Sequence, residues 1–416
     1  MPNLDLKYGE QAIRINIAER NLANVIRPRA VKGSPNENLE IKSALANPIG
    51  TSRLSEIVRK SDRVAIIVSD KTRPTPTSKL LPPIIEELNS AGVNLRDTTV
   101  VFALGAHARH STEEMKDLVG EKIFNSVRCI DHDTENCVDI GSTRHGTTVE
   151  VLKDVLERDA LVCTGNIEPH YVAGYSGGLK AILPGVSSRQ TIEQNHRMMV
   201  DPASRAGKLQ GNPVREDIDD VSNLIRVDFL VNAILNDANQ IVKVVAGDPI
   251  TAHRKGVESA DRVYKVEVSE KADIVIASAG GYPRDINLYQ AQKALENARH
   301  VARPGGAIIL LAECRNGIGD PTFEQWMREA SSPDEVIKRL TSKFVLGGHK
   351  AAAFASVMVE HPVYLVSSIS SQVANRMHFR AASTAKEALD LAFELMGDDS
   401  LVAVLSDGNS TLPAVR

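Results

Sequence analysis

The sequence has few cysteines and no paired spacing among them. Cys129, Cys137, Cys163 and Cys314 are the only 4 in 416 residues. Without a CxxC pair there is no disulfide framework and no thiolate zinc site. Cys163, inside the apolar run "ALVCTGN", reads as a small core residue. No apolar run approaches the roughly 18 residues of a membrane span, and the first residues lack the basic-then-apolar layout of a signal peptide. An excess of one charge is also missing: 49 basic against 53 acidic residues give a formal net charge of -4. Neither nucleic acid nor an anionic membrane is therefore an expected partner. A cytoplasmic protein acting on a small molecule is the expectation.

Familiar cofactor fingerprints are absent as well. "GIGDPT" (317–322) lacks the third glycine of a dinucleotide turn. In "GYSGGLK", Leu179 separates Gly178 from Lys180, and Ala181 stands where a Ser or Thr would hold magnesium, so the triphosphate-loop pattern fails. With no HxxxH or HxH pair, zinc held by protein side chains alone is not expected.

What is present is a series of short, apolar, β-branched runs: "RVAIIVSD" (63–70), "TTVVFALG" (98–105), "ALVCTGN" (160–166), "DIVIASAG" (273–280), "GAIILLAE" (306–313), "VYLVSS" (363–368) and "LVAVLSDG" (401–408). Near-continuous apolarity marks strands covered on both faces of a parallel sheet. Helical spacing lies between them, as in "TSKLLPPIIEELNSAGV" and "SPDEVIKRLTSK". The pattern predicts an α/β protein of two domains with mostly parallel sheets and an active site in the cleft between them. A 416-residue chain is long for one core. The boundary is expected near 268, after the charged helical patch "ESADRVYKVEVSEKAD", giving a catalytic and cofactor-binding domain over 1–268 and a closing domain over 269–416. Partial alternation over Ile13, Ile15 and Ile17 predicts a hairpin at the edge of the first domain, and "VDFLVNAILNDANQIVKVVAGDP" (227–249) reads as two strands joined by a turn.

In parallel sheets ligands gather outside the carboxyl ends of strands. After the first run comes "SDKTRPTP", where prolines stiffen a loop carrying Asp70 and Arg73. A guanidinium fork there suits a carboxylate or phosphate, though an ordinary turn with a solvated arginine reads equally well. After the second comes "GAHARHST", with His107, Arg109 and His110. A loop histidine is more often a surface residue, but an imidazole can also take a proton from a substrate hydroxyl. After the third comes "EPHYVAGYSGGLKAILPG" (168–185), with His170, a glycine turn at Ser176–Gly178 and Lys180. Downstream, "SSRQTIEQNHRMM" places Ile192, His196 and Met199 on one helical face. His196 is there either a core residue or a single-imidazole metal ligand. In "YPRDINLYQAQKALENA", Gln290 and Lys293 fall one helical turn apart with Tyr289 just before, either as a solvated face or as a grip on an anion. Trp326, His349 and Lys350 read as structural.

Taken together and in this order, "SDKTRPTP", "GAHARHST", "EPHYVAGYSGGLKAILPG", the helix with His196, "GNPVREDID" (211–219) and "DINLYQAQK" (285–293) resemble the nickel-dependent lactate racemase family. The resemblance implies racemisation or epimerisation of a 2-hydroxy acid, lactate-like or larger, possibly a sugar acid. It also implies a nickel pincer nucleotide, a pyridinium-3-thioamide-5-thiocarboxylic acid mononucleotide, bonded to Lys180, with His196 as the nickel ligand. His107 and His170 become the catalytic pair. Arg73 becomes the carboxylate anchor, with Tyr289, Gln290 and Lys293 holding the substrate. Asp70, Ser176, Gly177 and Gly178 are expected to help hold the nucleotide, which separate maturation enzymes install. One departure stands out: family members often carry arginine directly after the histidine matching His107, and this chain has Ala108, with Arg109 one place later. The alternatives are a non-catalytic paralogue binding a hydroxy acid or nucleotide, and an NAD-dependent dehydrogenase or zinc hydrolase. The missing fingerprints argue against the last two.

Overall fold

The computed structural model describes residues 3–342, 344–345 and 347–415. The chain forms two compact units, one of Ala30–Val263 and one of Met1–Arg29 with Tyr264–Arg416.

The Ala30–Val263 unit is built on a six-stranded sheet. Its order is Ile241–Gly247, Phe229–Leu235, Ala160–Asn166, Val64–Ser69, Thr98–Ala103 and Arg128–Asp131. Every neighbouring pair is parallel except the Phe229–Leu235 and Ile241–Gly247 edge hairpin. Successive side chains of a strand face opposite sides. Val64, Ile66 and Val68 accordingly enter one core with helices Glu37–Ala46 and Thr77–Ser90, while Ala65 and Ile67 enter another with Val149, Leu179, Ile182, Val214 and Ile218. Both faces being covered is the physical reason the strand has no polar position before Ser69.

From Val64–Ser69 the chain winds outward through two strands on one side, then returns to lay Ala160–Asn166 on the other. That reversal leaves a crevice at the carboxyl ends of Val64–Ser69 and Ala160–Asn166, the usual ligand position in such sheets.

The second unit repeats the principle with a wholly parallel sheet: Arg380–Ala382, Val363–Val366, Ala302–Leu311, Ala272–Ser278, Val402–Leu405 and Leu22–Ile26. The expected hairpin forms between Asn3–Tyr8 and Gln11–Asn16, but not as part of the first domain. Its Leu4, Leu6, Ile15 and Ile17 pack on Ile274, Ile276, Ile309 and Val404, and Leu22–Ile26 extends the same sheet, so residues 1–29 belong to the C-terminal unit. The charged patch expected to be helical divides. Helix Thr251–Tyr264 ends, and Lys265–Val268 pairs as a strand with Leu412–Val415, its Val266 and Val268 alternating with charge.

Asp285 fastens the hairpin turn. Fully buried, it accepts the N–H groups of Gly9 (2.7 Å) and Glu313 (3.1 Å). Asp285→Ala leaves two buried N–H groups unpaired, and urea unfolding is expected to show a loss of about 2–4 kcal/mol.

Candidate functional site

The three parallel strands Ala160–Asn166, Val64–Ser69 and Thr98–Ala103 are neighbours, so the loops that follow them gather at one sheet end. Two of those loops are tied together by His110. Its side chain is wholly buried, its Nδ1 meets Asp131 Oδ1 at 2.7 Å, and its Nε2 accepts the Lys71 N–H at 3.2 Å.

Next to that tie lies the pair Asp70 and His107. Asp70 is buried while His107 is 43% exposed, and the imidazole Nδ1 sits 2.6 Å from Asp70 Oδ2. Burial alone would raise the Asp70 pKa. The His107 hydrogen bond and charge, with Arg73 and Thr72, outweigh it and hold the carboxyl below its usual range. An ionised carboxylate only accepts, so Nδ1 carries the proton and Nε2 presents a lone pair outward. Asp70 was expected to help hold the nucleotide; its oxygens are instead engaged by His107 and the Thr72 hydroxyl.

His170 is arranged the opposite way. The short strand Pro169–His170 pairs with Gly174–Tyr175, and the intervening turn aims the N–H groups of Val172 (3.4 Å) and Ala173 (3.2 Å) at His170 Nδ1. With Nδ1 accepting, the neutral ring carries its proton on Nε2. His107 thus offers a base and His170 an N–H donor.

The glycine turn leads to Lys180 in a single 3-10 turn, Gly178–Ala181, rather than at the start of a long helix. Gly177 adopts φ +75°, and a Cβ there would lie 2.5 Å from Asn232 Oδ1. Asn232, the one polar side chain in the buried strand "FLVNAIL", accepts the Gly178 N–H at 2.8 Å. The Ser176 hydroxyl gives its only proton to a backbone carbonyl, Asn166 O at 2.8 Å being the nearer. Of the loop amides around Ser176–Gly178, Ser176 N donates to Glu168 O at 2.9 Å and Gly178 N to Asn232 Oδ1.

Among the described residues, Lys180 Nζ has neither a hydrogen-bond nor an ion-pair partner. Burial, then Arg215 and Arg73, push the amine pKa well below its usual value, which favours the neutral, nucleophilic form.

His196 lies near the end of helix Arg189–Arg197, capped by Ser188. Its Nδ1 meets the Ile192 carbonyl at 2.9 Å, which leaves Nε2 as the lone-pair nitrogen. Burial first, then Lys180, lowers its pKa to about 4, so the ring is neutral at neutral pH. Among the described residues no group of three or more His, Cys, Asp or Glu side chains could hold a metal ion. A metal at His196 would therefore take most of its donors from a bound molecule.

His132, lowered to about 4 by burial, and His253, lowered well below its usual value by burial and then Arg215, also stay neutral in the fold. Below about pH 6.5 these rings bind protons when unfolded but not when folded. Stability is then expected to fall as pH drops from 6.5 toward 4, by up to about 1.4 kcal/mol per pH unit for each ring. Urea midpoints measured between pH 7 and 5 check this.

In the other unit, Tyr289, Gln290 and Lys293 occupy the first turns of helix Leu288–Val301, capped by Asn287. Gln290 is exposed. The Tyr289 hydroxyl is pushed up to about 12 by burial and Asp320, and Lys350 Nζ lies 5.2 Å from its ring centre.

Sequence models of the lactate racemase N-terminal and C-terminal domains match residues 8–207 and 267–412. The chain belongs to the lactate racemase family. It is 32% identical over 424 residues to the lactate racemase of Thermoanaerobacterium thermosaccharolyticum, with 99% of each chain covered. Against that of Lactiplantibacillus plantarum it is 31% identical over 420 residues, covering 98% of this chain and 99% of the other. The solved lactate racemase apoprotein from T. thermosaccharolyticum superposes with a TM-score of 0.92 at 32% identity over 100% of both chains. A Thermotoga maritima protein shares the fold at 19% identity and a TM-score of 0.66, over 93% of this chain and 100% of that one. No helix of this family member, among the described residues, is long and apolar enough to cross a membrane.

Family membership leaves three residues that the motif reading did not assign. Asn232 and Arg215 could have been noticed, one as an amide in an apolar strand and one inside "GNPVREDID". His253 had no such signal.

Proposed function

We propose that this lactate racemase family member is an isomerase of 2-hydroxy acids. Its residues would work with a nickel pincer nucleotide attached to Lys180. The observation that carries the proposal is the Lys180 amine: buried, without a hydrogen-bond or ion-pair partner among the described residues, depressed in pKa and electrostatically coupled to His196. A neutral amine suits covalent attachment, and a lone imidazole lacking companion ligands suits a metal whose other donors arrive with the cofactor. Bound there, the cofactor would supply a reversible acceptor for the hydrogen that leaves C2 with its electron pair.

The chain's own groups handle the proton and the position. Arg73, on its proline-stiffened loop, holds the substrate carboxylate as a planar fork. Tyr289, Gln290 and Lys293 are retained as substrate-holding residues on the strength of the resemblance. His107 Nε2, oriented by Asp70, takes the hydroxyl proton of one enantiomer as C2 becomes trigonal. When C2 is reduced on its other face, His170 returns a proton to the oxygen. For the opposite enantiomer the rings would exchange roles, His170 then presenting a lone pair at Nε2 in its other tautomer with Nδ1 turned from the Val172 and Ala173 amides, and solvent would reset the proton between turnovers. Removing a hydroxyl proton avoids ionising C2–H beside a carboxylate. A merely binding paralogue would have no use for a buried carboxylate that fixes the tautomer of a half-exposed histidine.

Arg109 does not replace the missing arginine next to His107. It is largely exposed and pairs with Asp133 at 2.6 Å. Ala108 is exposed and carries no polar side chain for a substrate carboxylate, so lactate and larger hydroxy acids up to aldonates are the candidate substrates. A chiral assay of the nickel-loaded protein over that panel is expected to show interconversion without keto-acid build-up. Steady keto-acid formation coupled to NAD would favour a dehydrogenase instead.

A further inference from the structure

The stretch "GNPVREDID" has a place in the geometry that the proposed chemistry leaves unused. Between His170 and Lys180 the backbone turns sharply, and five consecutive carbonyls of that turn are taken by donors from elsewhere in the same unit. Asn212 Nδ2 donates to Val172 O at 2.8 Å, Arg215 Nε to Ala173 O at 3.1 Å, and the Gly207 N–H to Gly174 O at 3.0 Å. A terminal nitrogen of Arg215 donates to Tyr175 O, and His253 Nε2 to Ser176 O at 2.9 Å.

Arg215 is fully buried. Its guanidinium meets Asp219 at 3.4 Å, Asp219 accepts from Arg254, and Arg254 reaches His253 Nδ1 at 3.0 Å. The chain of contacts thus runs from Tyr175 O through Arg215, Asp219, Arg254 and His253 back to Ser176 O. Only a planar fork of several donors can grip two carbonyls and a carboxylate at once. Close packing adds to the constraint, since a Cβ on Gly174 would lie 2.1 Å from Lys208 O.

We propose that Arg215 is a positioning residue: by clamping the Ala173 and Tyr175 carbonyls it fixes where the His170 imidazole and the Lys180 amine point. The proposal rests on the reading of Lys180 as the attachment point. Its charge acts in the same direction as its shape. The charged or titratable groups near the amine are Arg215, Arg73, His196 and His253, and Arg215 contributes most after burial to keeping the amine neutral.

The test uses the full chain without cofactor. Acetylation of Lys180 by acetic anhydride is timed by peptide mass analysis from pH 4 to 9, with the exposed Lys386 as internal reference. In Arg215→Met, the midpoint at which the Lys180 rate rises with pH is expected to move upward, because the amine loses the nearby cation that most disfavours its charged form. General loosening of the fold would instead raise the limiting rate at high pH, so the pH profile separates positioning from mere structure. An unmoved or lowered midpoint in a folded Arg215→Met protein overturns the proposal. Arg215→Lys keeps the charge but cannot span both carbonyls, and it covers the case in which the methionine variant does not fold. After co-expression with the cofactor-maturation enzymes, this variant is expected to carry a several-fold lower fraction of adduct on Lys180 than wild type. Equal occupancy overturns the proposal. Failure of the attachment reading shows separately, as wild-type protein with no added mass on Lys180, and leaves the acetylation comparison standing.

Discussion

Lys180→Ala is expected to abolish the covalent adduct and reduce racemisation to background, a loss of about 10⁴-fold or more. Without the group on Lys180, the site retains an acid–base pair, and such pairs contribute about 10²–10⁴-fold. That is too little to ionise C2–H beside a carboxylate, so nothing measurable should remain. Lys180→Arg keeps a long nitrogen-bearing side chain but not a nucleophilic amine and should fail equally, which separates covalent attachment from the mere presence of a basic side chain. Both variants are read by intact mass for the adduct and by chiral chromatography for turnover. Because Lys180 lies in a one-turn element and its amine contacts no protein acceptor, its loss should leave the unfolding midpoint nearly unchanged.

His107→Asn and His170→Asn are expected to do the reverse: the adduct stays and kcat falls by about 10²–10⁴-fold. Among the described residues, neither side chain is hydrogen-bonded or ion-paired to Lys180. His107 is held by Asp70 and Thr72, and His170 by the Val172 and Ala173 amides. Asp70→Asn should cost less, about 10–100-fold, the usual effect of losing a group that orients another. It should also leave His107 free to adopt either tautomer. The adduct mass and the rate together distinguish these variants from those at Lys180.

Much of this arrangement is legible in the sequence because it depends on local pattern. The apolar runs become sheet strands since burial on both faces requires continuous apolarity, and the loops after three of them carry His107, His170, Lys180 and Arg73. The hairpin near the N-terminus is legible as a hairpin, yet its destination is not. Alternation shows that Ile15 and Ile17 need a core but not which sheet supplies it. The role of Asp70 is hidden for a related reason. A carboxylate in a loop can serve a ligand or a histidine, and only the fold shows the 2.6 Å approach of His107 to it. The carbonyl clamp by Arg215, Asn212 and His253 joins segments far apart in the chain through backbone oxygens, which carry no sequence signature at the accepting end. Asn232 shows the intermediate case: its amide breaks the apolarity of its strand, which signals a special position without naming its partner, the Gly178 N–H.

The central claim is that the chain interconverts 2-hydroxy acid enantiomers by moving hydrogen from C2 with its electron pair while histidines carry the hydroxyl proton. The most direct measurement follows a single enantiomer of a hydroxy acid deuterated at C2, incubated in ordinary water with protein carrying the Lys180 adduct. The account predicts equal amounts of both enantiomers, with deuterium retained at C2 in the inverted product and no keto acid accumulating. Inversion with deuterium replaced by solvent hydrogen, or no inversion of any hydroxy acid by fully loaded protein, would contradict it.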